Sequence, residues 1–174
     1  MAQPAAFDYR VEPLSKQHDR TGFFCGVEAL DAYLKTQASQ DMRRKANAVF
    51  VMVEPKAPDI IVGYFSLCAF ALEQGVVPKA ARKHLPRYPL VSATLIGRLA
   101  VSREHQRRGI GAMLLARALR KAYDNASIVG SSMIVVDAID GNAMGFYAAH
   151  GFVRLNDSPR MILPMSVVGQ LVGE

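Results

Sequence analysis

Between positions 94 and 123 the chain changes character in a way that few folds accommodate. Residues 94–101 are apolar apart from Arg98, the composition of a strand buried on both faces. Residues 108–123 place Ile110, Met113, Leu114, Ala118 and Leu119 at helical spacing, with Arg117, Lys121 and Asp124 opposite them. Strand and helix are joined by Gln106, Arg107, Arg108, Gly109, Ile110, Gly111 and Ala112. Small residues here let backbone N–H groups approach an anion at the positive end of the helix, and Arg107 or Arg108 can add charge-assisted contacts. A pyrophosphate suits such a loop, although a lone Gly-x-Gly at a helix start also serves packing or capping. Two other phosphate motifs are excluded by spacing. There is no Gly-x-x-x-x-Gly-Lys-Ser/Thr, and Leu114 stands where a dinucleotide fingerprint needs its third glycine.

The rest of the chain alternates between short periodic segments punctuated by Gly and Pro. Residues 7–14 read as an edge strand, 27–34 and 37–45 as two closely joined helices, and 48–54 and 60–72 as a hairpin turned by Pro55, Pro58 and Asp59. A short helix is expected over 77–83, a second buried strand over 132–138, and a helix over 142–150 closed by Gly151. Residues 152–155 and 160–165 read as a terminal hairpin. Helices alternating with strands in a mixed sheet predict an α/β sandwich, and 174 residues with 51% apolar content suit one domain spanning 1–174.

No apolar stretch approaches the ~20 residues of a membrane span, and the first ten residues lack a basic cluster followed by an apolar core, so no membrane partner and a cytoplasmic location are expected. Cys25 and Cys68 are the only cysteines, which fits a reduced compartment and packing roles. His18, His84, His105 and His150 are scattered, and no grouping has metal-ligand spacing, so no metal is expected. The formal net charge is +6. Much of it is clustered, in Arg43, Arg44 and Lys45 and then in Lys79, Arg82, Lys83, His84 and Arg87, a run without an acid. Charge alone is compatible with a solvated basic face or a polyanion-binding surface.

The loop at 106–112 resembles the Q/R-x-x-G-x-G/A motif of the GCN5-related N-acetyltransferase (GNAT) superfamily. Leu99-Ala100-Val101 matches the strand before that motif, and Asn142-Ala143-Met144-Gly145-Phe146-Tyr147 with Gly151-Phe152 resembles the superfamily's N-x-x-A/G-x-x-F-Y…G-F ending. Phe24-x-Gly26, Leu30-Asp31-x-Tyr33-Leu34 with Gln37-Ala38, residues 61–67, Gly97-Arg98-Leu99-Ala100-Val101 and residues 160–165 are similar to segments of the superfamily's toxin branch. Members of that branch acetylate the amino group of aminoacyl-tRNA and are neutralised by a ribbon-helix-helix antitoxin. One departure is Ser102, where the branch has an acidic residue.

The resemblance implies the GNAT fold, with a mostly antiparallel mixed sheet splayed between strands 4 and 5, and acetyl-CoA as cosubstrate. The pantetheine arm would hydrogen-bond the backbone at Leu99, Ala100 and Val101 like an added strand, while Gln106, Arg107, Arg108, Gly109, Ile110, Gly111 and Ala112 hold the phosphates. A backbone N–H near Leu99 would donate to the thioester oxygen. Tyr147 is the expected general acid for the leaving thiolate, with a packing role as the alternative. Asn142 is read first as the N-cap of its helix and second as a contact to CoA. Asp137 and His150 could act as bases, but pairing and a helix-end role are the readings put first. An α-amino acceptor titrates near 8, so a useful fraction of it is neutral without a base, whereas a lysine needs more help. The expected partners are aminoacyl-tRNA, the antitoxin and a second copy in a homodimer, with Arg43, Arg44, Lys79, Arg82, Lys83, Arg87 and Arg98 as candidate RNA contacts. An ordinary acetyltransferase acting on a protein or small amine is the alternative.

Overall fold

The computed structural model describes residues 8–83 and 85–173. Phe7, which begins the first expected strand, His84 of the basic run and the first six residues lie outside them. The elements follow the order β1 (Arg10–Pro13), α1 (Glu28–Thr36), α2 (Ala38–Arg43), β2 (Ala48–Val53), β3 (Gly63–Glu73), α3 (Lys79–Arg82), β4 (Leu90–Val101), α4 (Ile110–Asn125), β5 (Met133–Asp137), α5 (Gly141–Ala149), β6 (Val153–Arg154), β7 (Arg160–Pro164) and α6 (Met165–Leu171). Seven strands form one sheet in the order β1-β2-β3-β4-β5-β7-β6.

Pairing is antiparallel for β1–β2, β5–β7 and β6–β7 and parallel for β4–β5. The α/β class with a mixed sheet is therefore the one expected from sequence. A parallel pair needs a crossover, and α4 supplies it. β4 is in register with β5 over Ala93–Ile96 and continues to Val101, so its last residues, including Leu99 and Val101, extend past that pairing. Among the described residues no helix is long and apolar enough to cross a membrane.

The chain divides into two compact units. The first comprises the residues up to Ser66 together with Arg98–Leu115. Its core joins Phe23, Tyr33, Leu34, Val49, Val51, Val53, Ile61, Tyr64 and Ala100, with the Phe23 ring edge-on to Tyr64 at 5.5 Å. Asp41 organises the α1–α2 corner by accepting hydrogen bonds from Gln37, Tyr33 and Asn47, which hold its carboxyl below the usual range. The second unit comprises Leu67–Gly97 and the residues from Ala116 onward. Leu72, Val77, Leu85, Val91, Met133, Val135, Leu155 and Ile162 form its core.

Two elements differ from the sequence reading. β4 begins at Leu90 rather than at position 94, because Val91 and Ala93 point inward while Leu90 and Ser92 are exposed. That alternation marks a strand with one wet face, which a search for an unbroken apolar run misses. Helix α6 has no counterpart in the expected terminal hairpin. Its two valines and Gly169 are poor helix formers, and tertiary packing decides instead: Val168 is fully buried, and a Cβ on Gly169 would lie 3.0 Å from the Tyr123 ring.

Candidate active site

The loop between β4 and α4 belongs to the first unit. After Val101 the chain turns through a short 3-10 segment at Arg103–His105. The Ser102 N–H donates to the Val62 carbonyl at 2.9 Å, and Ser102 Oγ lies 3.0 Å from Nδ1 of His105. Ser102 thus bonds His105 within the turn and Val62 ahead of β3, and the motif that follows keeps its form despite the missing acid.

Gln106 is exposed, yet its side-chain amide donates to the carbonyls of Val101 and Cys25, each at 2.9 Å. It ties the start of the loop to the end of β4 and to the 23–27 segment. Arg107 then adopts a left-handed backbone at φ 65°, uncommon for a residue with a Cβ, and Gly109 does so at φ 74°. These two reversals turn the chain into α4, whose first closed turn is the Met113 N–H to Gly109 carbonyl bond at 3.2 Å. Ile110 is buried and anchors the helix start, while Arg107, Arg108 and Gly109 are exposed. A Cβ on Gly109 would meet nothing within 4 Å, so the space over the helix start is open. The first N–H groups of a helix lack intrahelical acceptors. Open space, those donors and two exposed guanidiniums fit a pyrophosphate.

Tyr147 belongs to the second unit, on α5, and both ends of that helix are fixed. Asp140, not Asn142, is the N-cap: its Oδ1 accepts from the Ala143 N–H at 2.8 Å. The capping role expected of Asn142 is therefore corrected. The side chain two positions earlier reaches the N3 amide, and Asn142 lies within the first turn with its surface exposed. At the other end Gly151 takes φ 96°, the Phe152 N–H donates to the Tyr147 carbonyl at 3.1 Å and the Gly151 N–H to the Ala148 carbonyl at 3.1 Å. This is a Schellman closure, and its usual apolar contact is supplied by the Tyr147 and Phe152 rings, 5.4 Å apart. The Gly-Phe pair that ends the sequence motif fixes the ring of Tyr147. Phe146 adds a second edge contact at 5.3 Å.

Tyr147 is 8% exposed, and burial pushes its phenol up to about 12. A raised pKa keeps the phenol protonated throughout the range in which an acceptor amine loses its proton. The pH profile of kcat/KM should accordingly rise once, with the amine, and show no alkaline limb up to about pH 10, where an ordinary tyrosine titrates. A limb near pH 10 in initial-rate measurements would mean that the essential phenol is solvated.

Both residues considered as bases have partners on the elements that carry them or pair with them. Asp137 accepts two bonds from Arg160, at 2.8 and 3.1 Å, and His150 caps α5 with Nδ1 2.8 Å from the Phe146 carbonyl. Pairing and helix-end roles are thus what the structure gives them. Two of the basic candidates are likewise engaged. The Arg98 guanidinium lies 3.4 Å over the Tyr33 ring, and Arg82 donates to the carbonyls of Val77 and Gly75. Lys83 and Arg87 line a cavity of about 420 Å³ in the second unit together with Gln74, Arg82 and Leu85. Sequence gave no sign of that cavity, which depends on how the 74–90 connection folds back, with Gln74 bonded to the carbonyls of Pro86 and Pro89.

A model of the acetyltransferase (GNAT) domain matches residues 45–154, from β2 to β6. A tRNA-acetylating toxin of Mycobacterium tuberculosis is 28% identical over 162 residues, covering 92% of this chain and 95% of its own. AtaT complexed with acetyl-methionyl-tRNAfMet superposes with a TM-score of 0.85 at 28% identity, over 94% of this chain and 99% of that one. AtaTR bound with AcCoA gives a TM-score of 0.82 at 27% identity, over 94% and 98%.

Proposed function

The chain belongs to the GNAT acetyltransferase family, with acetyl-CoA as its cosubstrate, and on that premise we propose that it acetylates the α-amino group of aminoacyl-tRNA and acts as a toxin that blocks translation. The observation that carries this reading is the likeness, over more than nine-tenths of the chain, to a tRNA-acetylating toxin and to AtaT bound to an acetylated aminoacyl-tRNA. The two-point pairing of Asp137 with Arg160 supports it, because an α-amino group needs less help from a base than a lysine does.

In this reading all 174 residues serve as one acetyltransferase domain. The backbone at Leu99, Ala100 and Val101 receives the pantetheine arm as an added strand. Gln106 sets the loop, and Arg107, Arg108 and the N–H groups from Gly109 through Ile110 and Gly111 to Ala112 take the phosphates. Asn142, exposed in the first turn of α5, is a further contact to CoA. The acceptor amine attacks the thioester carbonyl: the N–C bond forms, the C–S bond breaks, Tyr147 gives its proton to the departing thiolate, and the proton shed by the new ammonium returns through water to the Tyr147 phenolate. The chain works in the cytoplasm as a homodimer and is silenced by a ribbon-helix-helix antitoxin.

Incubation with labelled acetyl-CoA in the presence of charged tRNA, uncharged tRNA, a lysine peptide and a small amine tests the acceptor. Label is expected on charged tRNA alone. Label confined to the peptide or the small amine would overturn the toxin reading and leave the acetyltransferase.

RNA contact by the basic cavity is tested separately. Lys83→Glu combined with Arg87→Glu removes two cations that, among the described residues, make no hydrogen bond of the kind that occupies Arg82. Charged-tRNA binding is expected to weaken, and its log–log salt slope to fall by about 2, near one unit per lost phosphate contact. An unchanged slope in a filter-binding titration would exclude these residues.

A further inference from the structure

Phe24 is 55% exposed although the residues on either side of it, Phe23 and Cys25, are 2% and 6% exposed. A single exposed apolar side chain is ordinary on a protein surface; what sets this one apart is how it is held and what lies on it. The Phe24 carbonyl accepts from the Arg103 N–H at 2.8 Å, the Cys25 N–H donates to Asp31 Oδ1 at 2.8 Å, and the Cys25 carbonyl accepts from Gln106. With the main chain fixed at three successive points and Phe23 locked against Tyr64, the Phe24 ring stays outside the core. The Arg103 guanidinium lies 5.3 Å from the Phe24 ring centroid. Gly26, left-handed at φ 94°, leaves the room this requires, because a Cβ there would run into Arg103 Nη2.

The same Gln106 that holds Cys25 opens the phosphate loop, and Arg107 and Arg108 follow it at the surface. An exposed aromatic face with a guanidinium 5.3 Å from its centroid thus adjoins an anion-binding turn within one compact unit. Base and phosphate, presented together, are what a nucleotide offers. We propose that Phe24 and Arg103 form the platform on which the adenine ring of acetyl-CoA stacks. The inference rests on the reading of residues 106–112 as the pyrophosphate site and adds the base subsite to it. An aromatic ring and a guanidinium plane both accept a base face, and stacking of this kind tolerates substitution by another aromatic residue.

The chain contains no tryptophan, so Phe24→Trp installs a single emitter on the platform. Its fluorescence is expected to be quenched by CoA and by adenosine 3′,5′-bisphosphate and to be unmoved by pantetheine. In turnover, Phe24→Ala is expected to lower kcat/KM for acetyl-CoA about tenfold, the effect typical of one lost stacking contact, while kcat/KM for S-acetyl-pantetheine stays unchanged and Phe24→Trp retains the wild-type value for acetyl-CoA. Equal losses on the two donors, or none on either, would overturn the platform. So would quenching by charged tRNA but not by CoA, which would put an RNA base on the ring. A wild-type protein that binds no CoA at all would instead remove the pyrophosphate assignment, and with it this one.

Discussion

Gly109→Glu is expected to abolish acetyl-CoA binding, weakening it by at least a hundredfold in a calorimetric titration. Two physical terms act at this position. The left-handed backbone of Gly109 disfavours any residue with a Cβ by about 1–2 kcal/mol. The carboxylate would also enter the open space over the start of α4, where repulsion between unit charges ~4 Å apart amounts to about 4 kcal/mol at an effective dielectric of ~20. Gly109→Ala separates the two, because it carries the backbone term alone, a strain present with and without ligand: it should lower thermal stability and leave acetyl-CoA affinity within a few fold. Undiminished affinity in Gly109→Glu would remove the phosphates from this loop.

Tyr147→Phe is expected to lower kcat by about a hundredfold or more, within the range of a lost general acid, while the Kd for acetyl-CoA stays within about twofold. The substitution is a clean one. Phenylalanine keeps the ring that packs on Phe146 and Phe152, and the Schellman closure uses only the backbone of position 147. A loss of stability would therefore not account for a loss of turnover, and thermal denaturation should show the two proteins alike. Unchanged kcat would reassign Tyr147 to packing.

Much of this site is legible in the sequence because it depends on local chemistry. The β4–loop–α4 unit announces itself through a run of apolar residues, two glycines and a helical period, and each of these has its counterpart in the structure. Gly151-Phe152 reads correctly as a helix stop, since left-handed glycine after a C-cap is a property of a few consecutive residues. What is not legible depends on contacts distant along the chain. Asn142 looked like a cap because Asn is a good one, but Asp140 is as good and lies at the position whose side chain reaches Ala143. The basic run at 79–87 reads only as a stretch without an acid, and the fold alone shows Arg82, Lys83 and Arg87 lining a cavity, with Arg82 also bonded to the Val77 and Gly75 carbonyls. Helix α6 forms against Tyr123, more than forty residues upstream, in spite of its own propensities. Gln106 is a motif residue whose structural work, clamping Val101 and Cys25, involves a partner that no local pattern names.

The most direct test locates the acetyl group. After incubation of charged tRNA with acetyl-CoA and the protein, nuclease digestion releases the 3′-terminal aminoacyl-adenosine for mass spectrometry. The expected result is a gain of one acetyl group on the amino acid nitrogen, dependent on Tyr147 and Gly109. An unmodified aminoacyl-adenosine, with acetyl-CoA consumed on another amine, would contradict the assignment of aminoacyl-tRNA as the acceptor.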